Sequence, residues 1–344
     1  ERQETTGAQN HFNCPIVVSY AENLKNNVEA VVDGAVRYIR PFLAFSSEKV
    51  IADRLVEVCR KEWNIEEQTV RSAAHAAWEE QQKAKADIRK KGEEVLAAMA
   101  RENRKGIVLA GRPYHIDPEI NHGIPEMIAS YGLDVFTEDS LPFVENPARP
   151  LRVLDQWVYH SRLYNAAEYI SKRDDLELVQ LNSFGCGLDA VTTDQVCEIL
   201  EKSNKLYTVL KIDEVNNLGA VRIRIRSLLA AMKMRQEQGI VSVPNDAGYQ
   251  RTEFTKEMFK SGYTILAPQM SPIHFDLLAP VFKKHGFNIE ILDNDNRTAI
   301  DTGLKFVNND ACFPSITAVG QIMEAVLSGR YDTSRLAVVM TQTG

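Results

Sequence analysis

Three of the five cysteines in this 344-residue chain sit in short turns rich in Gly, Pro or Asn: Asn13-Cys14-Pro15, Phe184-Gly185-Cys186-Gly187 and Asp310-Ala311-Cys312-Phe313-Pro314. A thiolate that is to hold iron or attack a substrate needs a rigid loop at the end of an element, and Gly and Pro beside it supply close backbone approach and fixed dihedrals. An iron–sulfur cluster takes about three or four such thiolates. The sequence separations between Cys14, Cys186 and Cys312 far exceed those of a compact ferredoxin motif, so any shared site has to be assembled by the fold. Cys59 and Cys197 lie on helix-periodic runs, where a free cysteine is expected as a small buried hydrophobe.

A second candidate is Gly111-Arg112-Pro113-Tyr114-His115-Ile116-Asp117-Pro118, between an apolar run ending at Ala110 and a helical pattern. In a parallel sheet this is a ligand position, with Arg112 suited to a phosphate or carboxylate and His115 beside it, and a Pro-rich turn satisfying its own polar groups is the alternative. Asp213-Glu214 ends a later apolar run, where two carboxylates suit acid/base work or pairing with Arg222, Arg224 and Arg226. There is no Gly-x-Ser-x-Gly, His-Glu-x-x-His or Cys-x-x-Cys motif, and no Walker loop or dinucleotide fingerprint. The chain alone is therefore expected not to turn over ATP.

The elements that position these residues follow from periodicity. Residues 1–104 read as short extended pieces, at Pro15 to Ser19 and Val36 to Ile39, then a helix opening at Ser46, then one long Ala/Glu/Lys/Arg-rich helix from about Ile65 to Asn103. That helix is read with Ala74, Ala77, Trp78, Gln81, Ala84 and Ile88 on its packed face and a possible bend at Gly92. Residues 105–238 alternate strand and helix, as do residues 239–344 after a polar, turn-rich stretch from Gly239 to Gly262. The fold class expected is α/β, with two Rossmann-like parallel-sheet units behind a long-helix N-terminal portion.

Composition sets the outer bounds. A net charge of −7 argues against nucleic acid as a partner, and no apolar run approaches the roughly 20 residues of a membrane span. An odd cysteine count without a visible secretion signal fits a reducing, cytoplasmic setting.

Taken together, Phe12-Asn13-Cys14-Pro15-Ile16-Val17, Gly111-Arg112-Pro113-Tyr114-His115, Asn182-Ser183-Phe184-Gly185-Cys186-Gly187, Lys211-Ile212-Asp213-Glu214 and Asn308-Asn309-Asp310-Ala311-Cys312-Phe313-Pro314 resemble the large bacterial CoA-substrate-specific enzyme activases. Those proteins join an ATPase of the acetate-kinase/Hsp70 fold to segments related to the iron–sulfur subunits of 2-hydroxyacyl-CoA dehydratases and benzoyl-CoA reductases. The resemblance implies ATP-driven, low-potential electron transfer through a 4Fe-4S or double-cubane iron–sulfur cluster. It implies Cys14, Cys186 and Cys312 as ligands, with an ATPase activase domain or subunit and a dehydratase-type enzyme as partners. The family's ATPase portion and its flanking cysteine motifs fall outside these residues, so the chain is expected to be a fragment. Two other functions are open at this point: a cluster-free docking or scaffold module, and an acyl-CoA-binding module in which Arg112, His115, Asp213 and Glu214 contact the ligand.

Overall fold

A computed structural model of the protein describes residues 7–142, 146–183, 185–212, 218–243, 248–250, 252–294 and 296–340. The N-terminal part is helical: α1 (Pro15–Asn27), α2 (Glu29–Val32), α3 (Glu48–Trp63) and α4 (Glu67–Glu102). The expected strand at Pro15 to Ser19 is the first correction. Pro15 at the first helical position is preset for helix, and Ser19, Asn26 and Asn27 bond back to carbonyls three or four residues earlier. Those local bonds outweigh the β-branched Ile16-Val17-Val18. The α3 cap is Ser47, whose hydroxyl accepts from the Val50 N–H at 3.3 Å, one residue past the expected Ser46.

Helix α4 runs unbroken through Gly92 for 36 residues, about 54 Å at 1.5 Å per residue. Its ends pack and its middle does not. Val70 and Ala74 are buried at one end and Leu96 and Met99 at the other, whereas Ala77, Gln81, Ala84 and Ile88 are exposed. The continuous packed face expected from periodicity is therefore absent.

The first sheet contains β1 (Gly106–Ala110), β2 (Asp134–Phe136), β3 (Leu176–Ser183) and β4 (Tyr207–Ile212), all parallel, in the order β2-β1-β3-β4. Between them run α5 (Pro118–Asn121), α6 (Ile124–Ala129), α7 (Val158–Ser171) and α8 (Gly187–Lys202), and α9 (Leu218–Glu237) follows β4. Strand alternation divides the core. Val108, Leu176 and Leu178 face α7, α8 and the end of α4, packing on Leu163, Val196 and Met99. Ile107, Leu109 and Val179 face α6 and α9, packing on Ile128 and Ile225. With both faces covered, β1 is buried along its whole length.

The second sheet has order β6-β5-β7, again parallel, from β5 (Thr264–Pro268), β6 (Asn288–Leu292) and β7 (Leu336–Val338). Helix α10 (Lys256–Lys260) precedes it, α11 (Pro272–Lys284) covers one face through Phe275, and α12 (Arg297–Phe306) and α13 (Phe313–Leu327) lie on the other side, with Ala325 of α13 in the core. The sequence reading missed α12, whose Asn296 cap accepts from the Ala299 N–H at 3.1 Å. No helix among the described residues is long and apolar enough to cross a membrane.

Candidate functional site

In the first sheet the chain leaves β1 toward β2 and returns to place β3 on the other side. The loops after β1 and β3 therefore diverge at a topological switch point, and a crevice at the carboxyl ends of those strands is where open α/β sheets bind ligands. The loop after β1 carries Arg112 and His115. The loop after β3 carries Cys186 and leads into Asp189.

Arg112 is buried. Its Nε donates to Asp189 Oδ1 at 2.9 Å and its NH2 group to Cys186 Sγ at 3.4 Å, and Cys14 lies near enough to help raise the pKa of the same guanidinium. Burial alone would lower the Arg112 pKa; Asp189 and the Cys186 sulfur outweigh it and raise it. Burial likewise pushes the Asp189 carboxyl up, but His160 and Arg112 hold it below the usual carboxylate range. His160 Nε2 stands 3.4 Å from Asp189 Oδ1. Burial keeps that imidazole neutral by lowering its pKa.

Arg112 is thus buried against Asp189 and the Cys186 sulfur.

His115 is locked on both ring nitrogens. Nδ1 accepts from the Arg112 backbone N–H at 2.9 Å, which fixes the hydrogen on Nε2, and Nε2 then donates to Ser183 Oγ at 3.0 Å. Ser183 Oγ also lies 2.9 Å from the Tyr114 hydroxyl. With Nε2 as donor, His115 does not serve as a base for Ser183, so this Ser–His pair is not an activated nucleophile. Burial pushes the His115 pKa down to about 4. Gly111 permits the arrangement: a Cβ there would fall 2.4 Å from His115 Nδ1.

The cysteines share one feature that sequence reasoning did not foresee. Cys14, Cys186 and Cys312 are each the N-cap residue of a helix, α1, α8 and α13, of 13, 16 and 15 residues. A helix N-terminus presents free N–H groups and about half a positive charge, a setting for thiolates and anions. The signal was present in Cys14-Pro15 and Cys312-Phe313-Pro314, since Pro in the first helical turn follows a cap.

Buried Cys14 is brought in by residues 9–12, which lie along the segment before α7: Gln9 N–H donates to Asp155 O at 2.8 Å, Phe12 N–H to Gln156 O at 2.9 Å, and Val158 N–H to Phe12 O at 3.0 Å. The Phe12 and Trp157 rings meet edge to face with centroids 6.2 Å apart. Exposed Cys312 reaches the first sheet unit through Gly187, where a Cβ would stand 3.1 Å from the Cys312 amide nitrogen, and through an ion pair between Lys211 and Asp310.

All five cysteines are free. Burial and Asp189 push the Cys186 thiol up, with the backbone N–H groups of Asp189 and Leu188 and the Arg112 guanidinium pulling the other way. Cys59 and Cys197 lie on α3 and α8 as expected but are half-buried rather than fully buried. Burial and Glu201 push the Cys197 thiol up to about 11. Asp213 and Glu214 lie outside the described residues. Among the described residues, no three His, Cys, Asp or Glu side chains stand close enough to hold a single metal ion.

One family model matches part of the sequence. Residues 1–141 match the family model described as "CoA enzyme activase uncharacterised domain", in agreement with the resemblance drawn from the sequence motifs. The matched stretch contains Cys14, Arg112 and His115, and ends before Cys186 and Cys312. No curated protein and no solved structure matches the chain.

Proposed function

We propose that this chain is the iron–sulfur portion of an activase-like protein, a relay for low-potential electrons linked to 2-hydroxyacyl-CoA dehydratase or related reductase chemistry. The observation that carries the reading is the convergence of three N-cap cysteines, two of them on one buried guanidinium and the third against the residue after Cys186. The donor set suits a cluster. Three free thiols at helix N-termini favour an anionic iron–sulfur group, and Arg112 adds a charge-assisted hydrogen bond to sulfur of the kind that tunes cluster potential. Ligand sulfurs on a cubane lie roughly 6–7 Å apart, wider than those around a single ion. A cluster of that width does not need the close three-ligand grouping that a single ion needs. Bound there, the cluster would supply one-electron chemistry.

The residues around the sulfurs have separate tasks in this reading. Asp189 keeps Arg112 charged and oriented, and His115 and Gly111 hold the loop from which Arg112 extends. The ATPase that would energise the electrons and the dehydratase-type enzyme that would receive them are separate domains or subunits. Anaerobic reconstitution with iron and sulfide tests the reading: Cys14→Ala and Cys186→Ala each lower bound iron and the broad visible absorption, and Cys197→Ala leaves both unchanged. Equal iron uptake by all three variants would refute it. A docking module is the second reading, favoured by Ile273, Leu277 and Val281, which are exposed along one side of α11.

A further inference from the structure

Cys312 and Cys186 belong to different sheet units, yet Cys312 lies against Gly187, the residue after Cys186. A Cβ built on Gly187 would lie 3.1 Å from the Cys312 nitrogen, 3.5 Å from its Cβ and 3.8 Å from its Cα. Gly187 directly follows Cys186, so the two cysteine Cα atoms lie within about 9 Å of each other. The ion pair between Lys211, on β4, and Asp310, two residues before Cys312, holds the same junction together. Cys312 is exposed and Cys186 half-buried, and both are free. Cys14, in contrast, is buried.

We infer that Cys186 and Cys312 form a redox-active dithiol that closes into a disulfide between the two α/β units, with a small-molecule disulfide as oxidant. The exposed Cys312 thiolate attacks one sulfur of the oxidant, whose S–S bond breaks, releasing one thiolate and leaving a mixed disulfide on Cys312. The Cys186 thiolate then attacks the Cys312 sulfur, the protein disulfide forms and the second small thiolate leaves. The protein gives up two electrons and two protons, and the oxidant becomes two thiols. A disulfide spans Cα atoms about 4.4–6.8 Å apart, so closure moves the turn before α13 by no more than a few ångström. Gly187 sets the approach, because any side chain there would press on the Cys312 backbone. The inference goes beyond the cluster reading and does not need it, although it uses two of the same sulfurs.

The test uses the full chain, freed of metal by a chelator under anaerobic conditions and then treated with oxidised glutathione. Peptide mapping by mass spectrometry without reduction is expected to find Cys186 linked to Cys312. Cys186→Ser should accumulate glutathione on Cys312, and Cys312→Ser should leave Cys186 reduced over the same period. Gly187→Ala should slow linkage roughly tenfold, as overpacking a backbone contact displaces Cys312. The serine variants carry the test if Gly187→Ala does not fold. Glutathione persisting on wild-type Cys312, linkage of Cys14 to Cys186, or linkage at the wild-type rate in folded Gly187→Ala would overturn the inference. Because no iron is present, none of these outcomes depends on whether the chain holds a cluster.

Discussion

Asp189→Ala removes the only carboxylate bonded to the Arg112 guanidinium among the described residues. The two side chains retain 5% and 3% exposure, so water does little to replace the lost partner. The variant leaves a buried guanidinium with sulfur as its remaining described acceptor, and breaking a pair this deeply buried costs about 3–5 kcal/mol. Urea denaturation followed by circular dichroism reads that cost. At a slope of about 3 kcal/mol per molar, the midpoint falls by about 1–1.7 M. Asp189→Asn keeps an oxygen toward Arg112 Nε and should fall less. The double variant Arg112→Met/Asp189→Leu should recover much of the loss, because removing both charges removes the desolvation penalty with them. A loss below about 1 kcal/mol in Asp189→Ala, the size typical of exposed pairs, would refute the claim that this pair organises the site.

His115 gives a pH signature. Its folded pKa of about 4 lies below the ordinary value of 6.5, so below pH 6.5 the unfolded chain takes up the proton first. The stability from neutral His115 is thus complete above about pH 6.5 and drains away toward pH 4, by on the order of 3 kcal/mol in all. His160 shifts in the same direction. Midpoints measured across this range should flatten in His115→Gln, and an unchanged slope would count against the assignment. Gly111→Ala should lower thermal stability by about 1–3 kcal/mol, since the new Cβ would fall 2.4 Å from His115 Nδ1; differential scanning fluorimetry measures it, and a neutral result would mean the loop yields freely. Phosphate release from ATP by the chain alone should stay at background, because no phosphate-cradling glycine loop is present.

The parallel sheets were legible in the sequence because strands buried on both faces read as continuous apolar runs, as in Gly106–Ala110 and Thr264–Pro268. Helix α1 was not, because its determinants are a Pro preset at the first position and side-chain bonds from Ser19, Asn26 and Asn27, which no hydrophobic period records. The middle of α4 misled for the opposite reason. Its periodicity is regular, yet Ala77, Gln81 and Ile88 are exposed.

At the site, the cysteine loops and Arg112 stood out by residue type and neighbours. Asp189 and His160 did not, because they sit on helices that look ordinary in sequence and gain meaning only from strand order. Arg112 shows the limit most clearly: its loop position was readable, whereas its partner lies 77 positions away. A guanidinium expected to meet a ligand's phosphate is held by the protein's own carboxylate.

The most direct test of the central claim is the iron anomalous signal from crystals of the anaerobically reconstituted chain. The account requires iron density bonded to Cys14 and Cys186 Sγ, with Arg112 at the cluster's sulfur and Cys312 approaching from α13. Fully loaded crystals with iron elsewhere, and Cys14 and Cys186 still bare against Arg112, would contradict it.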